Sequence, residues 1–151
     1  MAQSLAQIYV HIVFSTKNRK PFLQHAPSRY RLHKVLAKTC NNLDSSCLEV
    51  GGVEDHVHLL CRLSKTGSVS DLIKELKRVS SAWVKAEVSG LDDFYWQNGY
   101  GAFSISPSHV DALRKYIANQ EQHHHRESFQ DEFRRLLTKY GLEWDERYVW
   151  D

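Results

Sequence analysis

The sequence predicts an α+β fold, a ferredoxin-like βαββαβ sandwich built on an antiparallel sheet, with additional C-terminal helices. Two observations carry this prediction. Stretches rich in β-branched and aromatic residues alternate with helix-periodic ones in the order strand, helix, strand, strand, helix, strand. The second strand leads into the third through the short link Glu54-Asp55, as in a hairpin. In such a sandwich two helices cover one sheet face, and the other face is left for function or for C-terminal helices. The 151 residues contain no internal repeat and no low-complexity linker, so a single domain over 1–151 is expected.

The first strand is Ile8 to Thr16, and it runs into the basic loop Lys17-Asn18-Arg19-Lys20-Pro21. Such a loop is a solvated turn or, just beyond a strand end, a contact for phosphate. Ser28 to Asn42 reads as a helix with Tyr30, Leu32, Val35, Leu36 and Thr39 near one face. Leu48 to Val53 is the second strand, where Gly51-Gly52 suggests a bulge or bend. The third strand is Val57 to Leu63. The next helix is the clearest in the chain: Ser68 or Ser70 can cap it, and Val69, Leu72, Ile73, Leu76, Val79, Trp83 and Val84 recur at helical spacing. Its other face carries Lys74, Lys77, Arg78, Ser81 and Lys85. Gly90 ends it, and Ala102 to Ser106 is the fourth strand. Beyond Pro107, residues 108–125 read as one helix, and Phe129 to Tyr140 as another ended by Gly141. The aromatic, acidic segment from Glu143 to Trp150 has no evident place.

Composition excludes several classes. Apolar residues make up 42% and charged residues 25%, a balance suited to a soluble globular protein, and the net charge of +2 gives no overall field for nucleic acid. Any nucleic-acid contact must come from a local patch. Three cysteines, none in a C-x-x-C pair, suggest neither a disulfide framework nor a cysteine zinc site. With no leader pattern and no apolar run long enough to span a membrane, a cytoplasmic protein without membrane contact is expected.

The chemistry centres on Asp55-His56-Val57-His58-Leu59-Leu60. Strand side chains alternate, so His56 and His58 point the same way and can clamp a divalent ion. A two-residue histidine spacing is weak alone, because a strand with two histidines on its polar face gives the same pattern. Tyr116 and Gln120, four residues apart, share a helix face that His123 and His124 continue. Two imidazoles and one carboxamide oxygen leave open positions and suit Mg²⁺ or Mn²⁺ bridged to a substrate phosphate. A phenol with a pKa near ~10 is protonated at neutral pH and attacks phosphorus only where developing charge is stabilised.

These motifs resemble those of the single-tyrosine HUH transposases, small enzymes of bacterial insertion sequences that move as single-stranded DNA. The matching stretches are 55–60, 71–77, 96–104 and 116–120 followed by His123-His124, with the first strand and its Lys17 and Arg19. The resemblance implies that His56, His58 and Gln120 are metal ligands for Mg²⁺ or Mn²⁺. Tyr116 would be the catalytic nucleophile, leaving a 5′-phosphotyrosine and a free 3′-hydroxyl. It further implies single-stranded DNA with hairpins at the element ends as partner, a homodimer of a kind in which active sites can be shared between subunits, and a bacterial or archaeal cytoplasm. Lys17, Arg19, Lys74, Lys77 and Arg78 then become a DNA-binding surface.

Two other classes fit parts of the pattern. A catalytically silent or host-domesticated DNA-binding relative would keep the fold but has no need of all four of His56, His58, Tyr116 and Gln120. A small zinc hydrolase would use His56, His58 and one of His123 to His125, with Glu54 or Asp55 as base. For His123-His124-His125 the favoured expectation is helix-face histidines satisfied by neighbours or by DNA phosphate.

Overall fold

The computed structural model describes residues 2–151. Its four strands are β1 (Tyr9–Ser15), β2 (Ser46–Gly52), β3 (His56–Arg62) and β4 (Gly101–Ile105). They form one sheet in the order β2-β3-β1-β4, and every neighbouring pair is antiparallel. Helices α1 (Ala26–Asn42) and α2 (Val69–Glu87) occupy the two crossovers, which gives the expected ferredoxin-like sandwich. The additional C-terminal helices are α3 (Val110–Ala118), the single turn α4 (Gln120–His123) and α5 (Phe129–Lys139). Among the described residues no helix is long and apolar enough to cross a membrane.

The strand alternation divides the sheet into two chemically different faces. Val10, Ile12 and Phe14 of β1 and Val57, Leu59 and Cys61 of β3 face α1 and α2, where they meet Leu32, Leu36, Leu72, Ile73, Leu76 and Val84. Their partners in alternation face α3 and α5. Leu60 and Ile105 pack on Leu113 and Ile117, while Val13 and Phe103 pack on Phe129, Phe133 and Leu136. The two histidines of β3 lie in this second layer, and both are fully buried.

Several boundaries move for identifiable reasons. The first helix begins at Ala26 because the His25 ring accepts the amide of Ser28 and Pro27 sits in the first turn. Ser68, the first of the two candidates, caps α2 by accepting the Asp71 amide. Ser80 rather than Val79 is fully buried on that helix, because its hydroxyl accepts the Trp96 indole N–H at 2.9 Å. The irregularity in β2 falls between Cys47 and Glu49 and not at the glycines. The glycines serve close approach instead: a Cβ on Gly51 would lie 2.2 Å from the carbonyl oxygen of Ile117, and one on Gly101 would lie 2.5 Å from the Phe133 ring.

The single helix expected over 108–125 is corrected. A short 3-10 turn occupies Pro107–His109, and Asn119 departs from helical geometry (φ −98°, ψ 19°) between α3 and α4. The C-terminal segment finds its place as well. Trp150 packs beside Phe129 and Phe133, its carbonyl accepts from Arg19 at 2.7 Å, and the Asp151 carbonyl accepts the Gly99 amide at 2.8 Å.

Gly51→Ala tests the seating of α3. The added methyl must displace backbone rather than a flexible side chain, so a loss of about 1–3 kcal/mol is expected in urea unfolding. Wild-type stability in this variant would show that α3 does not rest on β2.

Candidate active site

His56 and His58 stand opposite Ser15 and Val13 of β1 on the face covered by α3 and α5. The break at Asn119 turns the chain so that Gln120, fully buried, reaches the same place. Arg29 and Tyr30 of α1 hold α4 there, both bonded to Glu121 Oε1, at 2.8 and 2.6 Å.

The centre of the site is a residue that the sequence reading missed. Glu132 of α5 has no exposed surface. Its Oε1 lies 2.9 Å from His58 Nε2, 3.0 Å from His124 Nε2 and 3.3 Å from His56 Nε2. Its Oε2 accepts from Gln120 Nε2 at 3.2 Å and from the Tyr116 hydroxyl. Gln120 Oε1 lies 3.1 Å from His56 Nε2. The side chains proposed from sequence, His56, His58, Tyr116 and Gln120, are thus gathered in one chain around one carboxylate. A signal for Glu132 does exist in the sequence. It falls at helical spacing between Phe129, Phe133 and Leu136, a charged residue on an otherwise apolar helix face.

The outer nitrogens of the imidazoles are also held. His56 Nδ1 lies 2.7 Å from Asp55 Oδ1, and His124 Nδ1 lies 2.6 Å from the Glu127 carbonyl oxygen. Both partners only accept, so both Nδ1 atoms carry hydrogen and a neutral ring turns a lone pair inward. Those lone pairs face the oxygens of Gln120 and Glu132. Acceptor meets acceptor, and only a proton or a metal ion between them resolves the conflict. Burial alone would lower His56, but its bonds to Asp55 and Glu132 outweigh that and bring it up to about 9. Burial alone would raise Glu132, yet the charge of His58 and the bonds from the histidines hold it well below the usual carboxylate range. His58 Nδ1 is bonded to His11 Nε2 at 2.8 Å, and burial lowers both rings. The donor set and its outer partners fit a divalent ion.

Tyr116 is half-buried beside this cluster. Burial, followed by the charge of Glu132, raises its hydroxyl above the ordinary phenol value. The hydroxyl also accepts from Arg135 Nη2 at 2.8 Å, a second contact that sequence did not announce. An open hollow of about 630 Å³ lies alongside, lined by Tyr116, Asn119, Gln122, His123, His125 and Arg126. The three consecutive histidines therefore separate. His124 joins the cluster, His123 lies 2.5 Å from Glu127 Oε2, and His125 faces solvent at the hollow.

The five basic candidates also separate. Lys17, Lys74 and Arg78 are exposed, with Arg78 bonded to Glu75 at 2.7 Å. Arg19 is tied to Trp150. Lys77 lies inside the surface, where burial lowers it to about 8 and its ammonium donates to the carbonyls of Gln97, Asn98 and Gly99 at 2.8, 3.1 and 2.7 Å. Its geometry is that of a clasp on the 97–99 loop. Lys77→Met strands three acceptors and should cost about 1–3 kcal/mol in thermal or urea unfolding. Undiminished stability with weaker DNA binding would return Lys77 to the contact surface.

Comparison with known proteins places the chain in a family. Residues 4–120 match the family described as "Transposase IS200 like". A candidate transposase from Deinococcus radiodurans R1 has a similar fold, with a TM-score of 0.64 at 19% identity over 80% of this chain and 95% of its own. A REP-associated tyrosine transposase, solved bound to a REP hairpin, aligns with a TM-score of 0.55 at 15% identity over 79% of this chain and 72% of its own. No curated protein sequence matches the chain. The matched stretch contains His56, His58, Tyr116 and Gln120 and ends there, before His124 and Glu132. On the extent of that match, the chain belongs to the IS200-like transposase family.

Proposed function

We propose that this chain, acting as one domain over 1–151, cleaves and rejoins single-stranded DNA through a covalent phosphotyrosine at Tyr116. The observation that carries the reading is the convergence of Tyr116, His56, His58 and Gln120 on Glu132 within one chain. The Tyr116 oxygen attacks phosphorus, the bond from phosphorus to the 3′ oxygen breaks, and that oxygen leaves as a 3′-hydroxyl after taking a proton. The phenolic proton already points at Glu132 Oε2, and the Arg135 guanidinium offsets negative charge at the attacking oxygen. His56, His58 and Gln120 would hold a divalent ion, Mg²⁺ or Mn²⁺ on the sequence reading, and when bound it would supply charge stabilisation to the phosphate. The phosphotyrosine conserves the energy of the broken bond, so rejoining needs no nucleotide cofactor.

Recognition of a hairpin is proposed from the family and from the REP-bound neighbour. A groove of about 380 Å³ supports it, with Lys74 and Arg78 beside Tyr95 and Tyr100. Cations with aromatic faces suit a strand with unstacked bases. A homodimer is retained from the family reading, but the site needs no exchange between subunits, since one chain supplies every named group. A silent DNA-binding relative is the competing reading.

The deciding experiment incubates the protein with hairpin-bearing single strands from the flanks of its gene, in Mg²⁺ or Mn²⁺. A covalent protein–DNA adduct on a denaturing gel, absent in Tyr116→Phe, is the expected result. Binding without an adduct across both metals would overturn the nucleophile assignment in favour of the silent relative.

A further inference from the structure

The ligand set expected from sequence has two imidazoles and a carboxamide. The structure contains more than that. Nε2 of His124 and a carboxylate oxygen of Glu132 lie with Nε2 of His56 and His58 in a group whose members are all within 4.8 Å of one another. The His124 side chain is 7% exposed and that of Glu132 is fully enclosed, so neither is a surface residue drawn in by chance. Both stand outside the segment that matches the family.

We infer that His124 and Glu132 are metal ligands, and that with His56 and His58 they bind a first-row transition ion in preference to Mg²⁺. The inference rests on the proposed reading of His56 and His58 as ligands, and extends it to the chemistry of the ion. Three imidazoles and one carboxylate are the donors that Zn²⁺, Co²⁺ and Mn²⁺ accept, whereas Mg²⁺ favours oxygen ligands and retains several waters. The outer contacts agree. A ligating imidazole ordinarily passes its other N–H to a carboxylate or a backbone carbonyl. His56 has Asp55 Oδ1 at 2.7 Å, and His124 has the Glu127 carbonyl at 2.6 Å. His124 thus has the same outer support as His56. Glu132 is also the one anion in the group, and it lowers the net charge of a site that otherwise holds only neutral donors. Gln120 keeps it in place through Nε2 at 3.2 Å.

The test uses the full chain, stripped with a chelator and titrated separately with Co²⁺, Mn²⁺ and Mg²⁺, in wild type and in His124→Gln, Glu132→Gln and His56→Gln. Bound metal is measured by equilibrium dialysis, and the Co²⁺ environment by its visible absorption. Wild type should bind one Co²⁺ at least about 100-fold more tightly than Mg²⁺. His124→Gln and Glu132→Gln should each weaken Co²⁺ by at least about tenfold and shift its absorption bands. Unchanged affinity and spectrum in both variants, with Co²⁺ weakened in His56→Gln, would remove His124 and Glu132 from the ligand set while leaving the histidine strand as the metal site. No Co²⁺ or Mn²⁺ binding by wild type, or binding indifferent to His56→Gln, would overturn the metal reading itself. Should a variant lack a cooperative thermal transition, X-ray absorption of the Co²⁺-loaded wild type decides: three imidazoles support the inference, and two overturn it.

Discussion

A carboxylate with no exposed surface, surrounded by histidines, is the constraint on which the rest of this structure depends. A charge in that position is tolerated only if every direction around it offers a donor or a cation. Glu132 obtains them from five residues: His56 and His58 on β3, Tyr116 on α3, Gln120 on α4 and His124 just beyond it. Because those residues come from separate elements, the burial of one side chain fixes the mutual placement of the histidine strand and the three C-terminal helices. The interactions that permit Glu132 to be buried also bring His56, His58, Tyr116, Gln120 and His124 together.

The sheet supports this by keeping two jobs apart. One face is an ordinary apolar core shared with α1 and α2. The other face mixes the apolar Val13, Leu60, Phe103 and Ile105, under α3 and α5, with the polar His11, Ser15, His56 and His58. His11 illustrates the cost of that design, since it is buried and bonded to His58 while its own Nδ1 has no partner. A polar layer this deep persists because its groups answer one another across strands and helices.

Much of this was legible from the residues. Strand order, both crossover helices and the grouping of His56 and His58 followed from periodicity, which reports which face a side chain takes. The grouping of Tyr116 with Gln120 was legible as well, although the helix carrying them breaks at Asn119. Glu132 and Arg135 were not seen, because a helical pattern shows that a position is buried without showing what lies across from it. Glu132 makes sense on its apolar face only once the histidines are known to be opposite. The clasp made by Lys77 was hidden for a related reason. A lysine on a basic helix face reads as a solvent contact, and nothing local reveals that three carbonyls of a distant loop converge on it. The tail was opaque because its anchors, Arg19 and Gly99, lie far away in sequence.

The seat of α3 on Gly51 bears on how the chain assembles. Gly51 is the cross-strand partner of His58, so the place where the helix can come closest and the place where an imidazole points toward it are set by one hairpin register. A slip of one residue in β3 would turn both histidines toward the apolar layer. A slip in β2 would exchange the bare glycine for a neighbour, and in one direction that neighbour is Val50. The register that points His58 at the site is therefore also the register that leaves room for α3, so the placement of Tyr116 on its helix and the placement of the histidines on their strand share one geometric condition.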